Sequence, residues 1–130
     1  MKILITGHKG FIGSYIANYL ATKDHEVEGF EWVENVVPNV EGYDWVIHCG
    51  AISDTTERDV EKVWRQNYEF TLRLLQVCEH YNTNIQLAST SAVYGNNTKF
   101  NEKDPVSGLI PVLKIKILDA LPCVQQYFDM

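Results

Sequence analysis

Apolar Ile3, Leu4 and Ile5 form a short β-rich run, Lys2 to Thr6, that stops at Gly7, and beyond it the periodicity changes. From Phe11 to Thr22 the apolar positions Ile12, Ile16 and Leu20 fall four apart, as on one face of a helix. Glu26 to Glu31 returns to a strand pattern after the turn Lys23-Asp24-His25. Strand, helix and strand thus follow within about thirty residues, the span a parallel βαβ unit needs. Trp32 to Tyr43 is irregular and carries Pro38, Asn39 and Gly42, leaving no room for a full helix or a clear third strand. Trp45 to Ala51 is a near-continuous apolar run, as expected of a strand covered on both faces. Asp54 or Thr55 can cap a long helix reaching His80, because Val60, Val63, Trp64, Asn67, Phe70, Leu74, Val77 and Cys78 recur at helical spacing. Asn84 to Thr90 reads as another buried strand, Pro105 to Pro111 as a loop, and Leu113 to Phe128 as a helix interrupted at Pro122. The alternation predicts an α/β fold with a doubly wound parallel sheet.

A chain of 130 residues suits one domain, 1–130, and its 45% hydrophobic and 22% charged residues are those of an ordinary globular protein. A formal charge of −6 with no basic stripe argues against nucleic acid as a partner. No apolar run approaches the ~20 residues of a membrane span, and the N-terminus reads as a strand rather than a signal peptide, so a cytoplasmic location is expected. Cys49, Cys78 and Cys123 are odd in number and lack C-x-x-C spacing, and His25, His48 and His80 are scattered without ligand spacing; no metal is expected. The run Glu57-Arg58-Asp59-Glu61-Lys62 reads as the solvated face of the long helix.

The chemistry concentrates in Thr6-Gly7-His8-Lys9-Gly10-Phe11-Ile12-Gly13, placed where a strand becomes a helix. In a dinucleotide site the first glycine makes the tight turn, the second lets backbone approach a pyrophosphate, and the third lets helix and strand pack closely. These roles fall on Gly7, Gly10 and Gly13, and the helix start at Phe11 and Ile12 offers N–H groups to phosphate. His8 either donates to a phosphate oxygen or is a solvated loop residue. Glu31, at the end of the second strand, can hold ribose hydroxyls and favours NAD; Lys9 can attract a 2′-phosphate and favours NADP. The balance tips to NAD.

With these residues in place, the chain resembles the extended short-chain dehydrogenase/reductase family, the NAD-dependent epimerase/dehydratases. Thr6 to Gly13 matches its T-G-x-x-G-x-x-G turn, and His48-Cys49-Gly50-Ala51 is similar to its next cofactor-contacting strand end. Gln66-Asn67-Tyr68 with Thr71, Leu74 and Leu75 resembles its long helix, and Ser89 to Gly95 its S-S-x-x-x-Y-G strand and loop. The run Gly50-Ala51-Ile52-Ser53-Asp54-Thr55-Thr56-Glu57 is most like that of the ADP-glyceromanno-heptose 6-epimerases.

The resemblance implies a Rossmann-like NAD(P)-binding domain whose cofactor residues are Gly7, Lys9, Gly10, Phe11, Ile12, Gly13, Glu31, Gly50, Ala51 and Asn67. It implies a nucleotide-sugar substrate, a homodimer through the long helix 56–80 and the helix at 113–128, and a hydroxyl, a tyrosine and a lysine as catalytic set. Thr90 matches the hydroxyl and Lys116 the lysine, but Val112 stands where the tyrosine belongs. A residue without an ionisable proton cannot act as general acid or base, so hydride chemistry is expected to be severely impaired. Tyr94 is read as a packing residue rather than a substitute. The family's C-terminal substrate domain has no counterpart in these 130 residues, so a truncated domain is expected. Three readings stay open: an epimerase-like oxidoreductase domain, a non-catalytic NAD(P)- or partner-binding module, and a truncated relic.

Overall fold

The structure, a computed structural model, describes residues 1–54 and 56–88. Thr90, Tyr94, Val112 and Lys116, the loop Pro105–Pro111 and the helix expected at 113–128 lie outside the described residues, as do the last two residues of the strand expected to end at Thr90. In chain order come β1 (Lys2–Thr6), α1 (Phe11–Ala21), β2 (Glu26–Phe30), β3 (Trp45–His48), α2 (Val60–Val63), a π-helical stretch (Trp64–Glu69), α3 (Phe70–His80) and β4 (Asn84–Leu87). Met1–Ala88 makes one compact unit.

All strand pairs are parallel, in the order β2-β1-β3-β4. The chain therefore moves outward from β1 to β2 and, in the other direction, from β3 to β4. With right-handed crossovers the two helical connections fall on opposite faces of the sheet, which is the doubly wound arrangement. Register puts Leu4 beside Val46 and Val46 beside Ile85, so these side chains share one face. Phe70, Leu74 and Cys78 of α3 cover it together with Val40, and Ile85 packs at its margin. The Phe30 and Phe70 rings stack with centroids 5.8 Å apart. Leu74 is fully buried, which removes apolar surface contributing about 1.5–3 kcal/mol.

Several boundaries differ from those expected. The long helix begins at Val60, not at residue 56, and Asp54 does not cap it; Thr55 lies outside the described residues. Asp54 is spent on a local turn, accepting from the Thr56 N–H at 2.8 Å and its hydroxyl at 2.7 Å. Asp59 caps instead, accepting from the Lys62 N–H at 3.0 Å. Val60 and Ile12 keep helical spacing but are 68% and 59% exposed, because each lies in a first turn that has not reached the sheet. β3 ends at His48, three residues early, since Gly50 turns its N–H to a side chain rather than to a neighbouring strand. Trp45, expected under cover, is 37% exposed. Residues 31–44 form neither helix nor strand, as the irregular pattern predicts, yet Val40 is buried in the core.

Candidate functional site

The site forms where β1 and β3 end side by side, since the sheet winds in opposite directions from these two strands. In open α/β sheets ligands bind at such a switch point, outside the carboxyl ends of the strands. Gly7 turns the chain out of β1 at φ +70°, a conformation costly for any residue with a Cβ. Its N–H donates to Phe30 O at 2.9 Å, which ties the turn to the end of β2. A Cβ on Gly7 would come within 2.6 Å of Gly50 Cα, so two backbones meet there with no side chain between them. A Cβ on Gly13 would collide with the Gly7 carbonyl, which is how α1 packs this close to β1.

Gly10 is the N-cap of α1, extended at φ −75° and ψ 172°, and offers no side-chain cap; the first turn holds no acidic residue. The helix start therefore presents its positive end and its first N–H groups uncompensated by any side chain, as an anion site requires. Phe11 is 94% exposed beside it. At the end of β2, Glu31 reaches back to the turn: its Oε1 accepts from the Lys9 N–H at 2.9 Å and lies 3.0 Å from His8 Nδ1. The fold thus brings Gly7, Lys9, Gly10, Phe11, Ile12, Gly13, Glu31, Gly50 and Ala51 to one edge. A cleft of about 470 Å³ opens beyond β2 between Trp32–Val37 and the helical residues Arg65, Glu69, Phe70 and Arg73.

Behind this edge runs a chain of buried polar groups whose pairing the spacing of their residues does not reveal. Thr6 Oγ1 is 2.5 Å from His48 Nδ1, His48 Nε2 is 2.8 Å from Thr71 Oγ1, and the Thr71 hydroxyl donates to Asn67 O at 2.6 Å. Because the Thr71 proton is committed to that carbonyl, His48 Nε2 must be the donor to Thr71. On the other side of the ring Nδ1 faces the Thr6 hydroxyl, whose oxygen accepts from the Gly50 N–H at 3.2 Å. Thr6, His48 and Thr71 are all at least 95% buried, where an unmade hydrogen bond costs about 1–3 kcal/mol.

Asn67, expected to touch cofactor, is buried in the π-helical stretch, and its amide clips the loop after β3. It donates from Nδ2 to Ile52 O at 3.0 Å and accepts the Ile52 N–H at 2.7 Å. Wider helical turns of this kind recur at functional sites; here the Phe70 N–H reaches Arg65 O, five residues back. Burial pushes the Cys49 thiol up, leaving it a neutral part of the wall. Among the described residues no group of three or more His, Cys, Asp or Glu side chains could hold a metal ion, and no helix is long and apolar enough to cross a membrane.

The sequence profile of the NAD dependent epimerase/dehydratase family matches residues 3–33 and 31–111. The chain is 29% identical over 131 aligned positions to the ADP-L-glycero-D-manno-heptose-6-epimerase of Brachyspira hyodysenteriae, covering 78% of this chain and 41% of that protein. It spans about two fifths of that relative's length. Among solved structures, the Helicobacter pylori ADP-L-glycero-D-manno-heptose-6-epimerase superposes with a TM-score of 0.78 at 23% identity, over 97% of this chain and 50% of that one. The Bacillus cereus UDP-glucuronic acid 4-epimerase, solved in complex with NAD, gives 0.77 at 24% identity over 98% and 52%.

Proposed function

Since the chain belongs to the NAD dependent epimerase/dehydratase family, we propose that it binds NAD across the β1–β3 switch point as the cofactor domain of a nucleotide-sugar epimerase-like oxidoreductase. The observation that carries this reading is the junction of Gly7, Gly13 and Gly50, where a Cβ on Gly7 or Gly13 would strike backbone. That cradle, the uncapped start of α1 and Glu31 at the end of β2 together fit a dinucleotide: helix N–H groups for the pyrophosphate, a carboxylate for ribose hydroxyls. Bound NAD would supply a hydride acceptor that returns the hydride to the sugar. The chain's own part is to hold the phosphates at Gly10–Gly13 and to keep the wall after β3 in place through Asn67.

Thr90 and Lys116 take the hydroxyl and lysine roles in this reading. Val112, at the tyrosine's place, leaves no side chain to take a sugar hydroxyl proton, so turnover is severely impaired. The same valine favours a second reading, a module that binds cofactor or a partner without turning over. In either case the assembly is a homodimer, with the helix over 60–80 contributing to its interface, in the cytoplasm. Titration with NADH and NADPH, followed by nicotinamide fluorescence and thermal shift, tests the shared core. Micromolar binding of NADH is expected; absence of binding by both at millimolar concentration overturns the cofactor assignment.

A further inference from the structure

The His8 side chain is 31% exposed. It folds back against β2, and a Cβ at Gly29 would overlap the imidazole, with Nδ1 only 2.5 Å away. Gly29 is thus the notch that receives the ring. From there Nδ1 lies 3.0 Å from Glu31 Oε1, the oxygen that also accepts the Lys9 N–H. The nitrogen is buried and without a regular hydrogen bond, so the ring acts as a steric stop rather than a directed donor. Both contacts engage one carboxylate oxygen, and Glu31 keeps a 40% exposed side chain.

The geometry points to His8, seated on Gly29, as the positioning residue that sets selectivity for the 2′-hydroxyl over the 2′-phosphate form of the dinucleotide, by holding Glu31 against the turn. This rests on the cofactor reading above. A free glutamate has three rotatable bonds and can swing into solvent, which would release the Lys9 N–H. A 2′-phosphate would then find an open donor. Held on the turn, the carboxylate occupies that amide and meets a 2′-phosphate with like charge, while it still offers lone pairs to ribose hydroxyls.

The experiment measures dissociation constants for NADH and NADPH on wild type, His8→Ala, His8→Gln, Glu31→Gln and the double variant H8A/E31Q. Wild type is expected to prefer NADH, and His8→Ala to lower the NADH-to-NADPH preference about tenfold, equivalent to ~1.4 kcal/mol. His8→Gln, whose amide can reach the carboxylate, is expected to restore most of that preference. On the Glu31→Gln background the His8 change is expected to add nothing, since the two act through one contact. An unchanged ratio in His8→Ala, an equal loss of both cofactors, or an additive double variant overturns the role of His8. Wild type that binds neither dinucleotide overturns the cofactor reading itself, and the wild-type isotherms separate that failure from the first.

Discussion

The two ends of the sheet are both rich in polar contacts, and they solve the problem of polarity in opposite ways. At the amino end the groups are charged and wet. Lys2 Nζ lies 3.1 Å from Glu28 and 3.8 Å from Glu26, its side chain 34% exposed and theirs 49% and 66%. Tyr43 donates its hydroxyl to Glu28, Lys2 sits over the Tyr43 ring, and the Lys2 N–H donates to Asp44 at 2.7 Å. At the carboxyl end Thr6, His48 and Thr71 carry a hydrogen-bonded relay that is buried throughout. Charges in water are screened and replaceable, whereas a hydrogen bond in a low dielectric is directional and costly to break. The end that has to hold a ligand edge in one shape is built the second way.

Gly7→Ala is expected to break the contrast most severely. It forces a Cβ into φ +70° and against Gly50, which together cost about 2–5 kcal/mol. A fall in the urea midpoint together with loss of NADH binding would record it. Thr71→Val keeps shape but removes the hydroxyl that links His48 Nε2 to Asn67 O, and is expected to cost about 1–3 kcal/mol. That loss should persist in 1 M sodium chloride, where exposed charges are screened within ~3 Å. Lys2→Met, at the other end, is expected to lower the melting temperature slightly at low salt and not at all in 1 M salt; equal salt sensitivity of the two variants would erase the comparison.

The smallest effect is a pH limb. Burial, reinforced by donation to Glu28, pushes the Tyr43 phenol up from its ordinary 10 to about 12. The folded state therefore holds that proton more tightly than the unfolded chain. Stability from this source is complete below pH 10 and disappears as pH rises through 12. The stability difference between wild type and Tyr43→Phe should accordingly be constant to pH 10 and shift against wild type between 10 and 12, as followed by denaturant unfolding at each pH.

Much of this layout is legible in the residues alone, and the exceptions share a cause. β1, α1 and β2 follow from periodicity and glycine spacing to within a residue, because each obeys a local rule. The start of the long helix does not, because Asp54 and Asp59 are equally good caps by type and only the Asp54–Thr56 turn decides between them. The turn glycines and Glu31 gather as their spacing implies. The relay behind them was signalled only weakly, by Thr6 and His48 standing at the ends of apolar strands, where a buried polar side chain has to find a partner. That the partner is Thr71 could not be read, since it lies 23 positions away on a helix reached through a π turn with no sequence signature.

The Asn67 clip carries one more consequence, in the time domain. Residues between β3 and α2 are nominally loop, and loop amides ordinarily trade their protons with solvent during small local fluctuations. The Ile52 amide is sequestered by a side chain that is itself buried beneath the sheet edge, and the Gly50 amide by Thr6. Deuterium should therefore enter these two positions at the slow pace of the neighbouring strands, making a segment without regular structure as long-lived as the sheet it leaves.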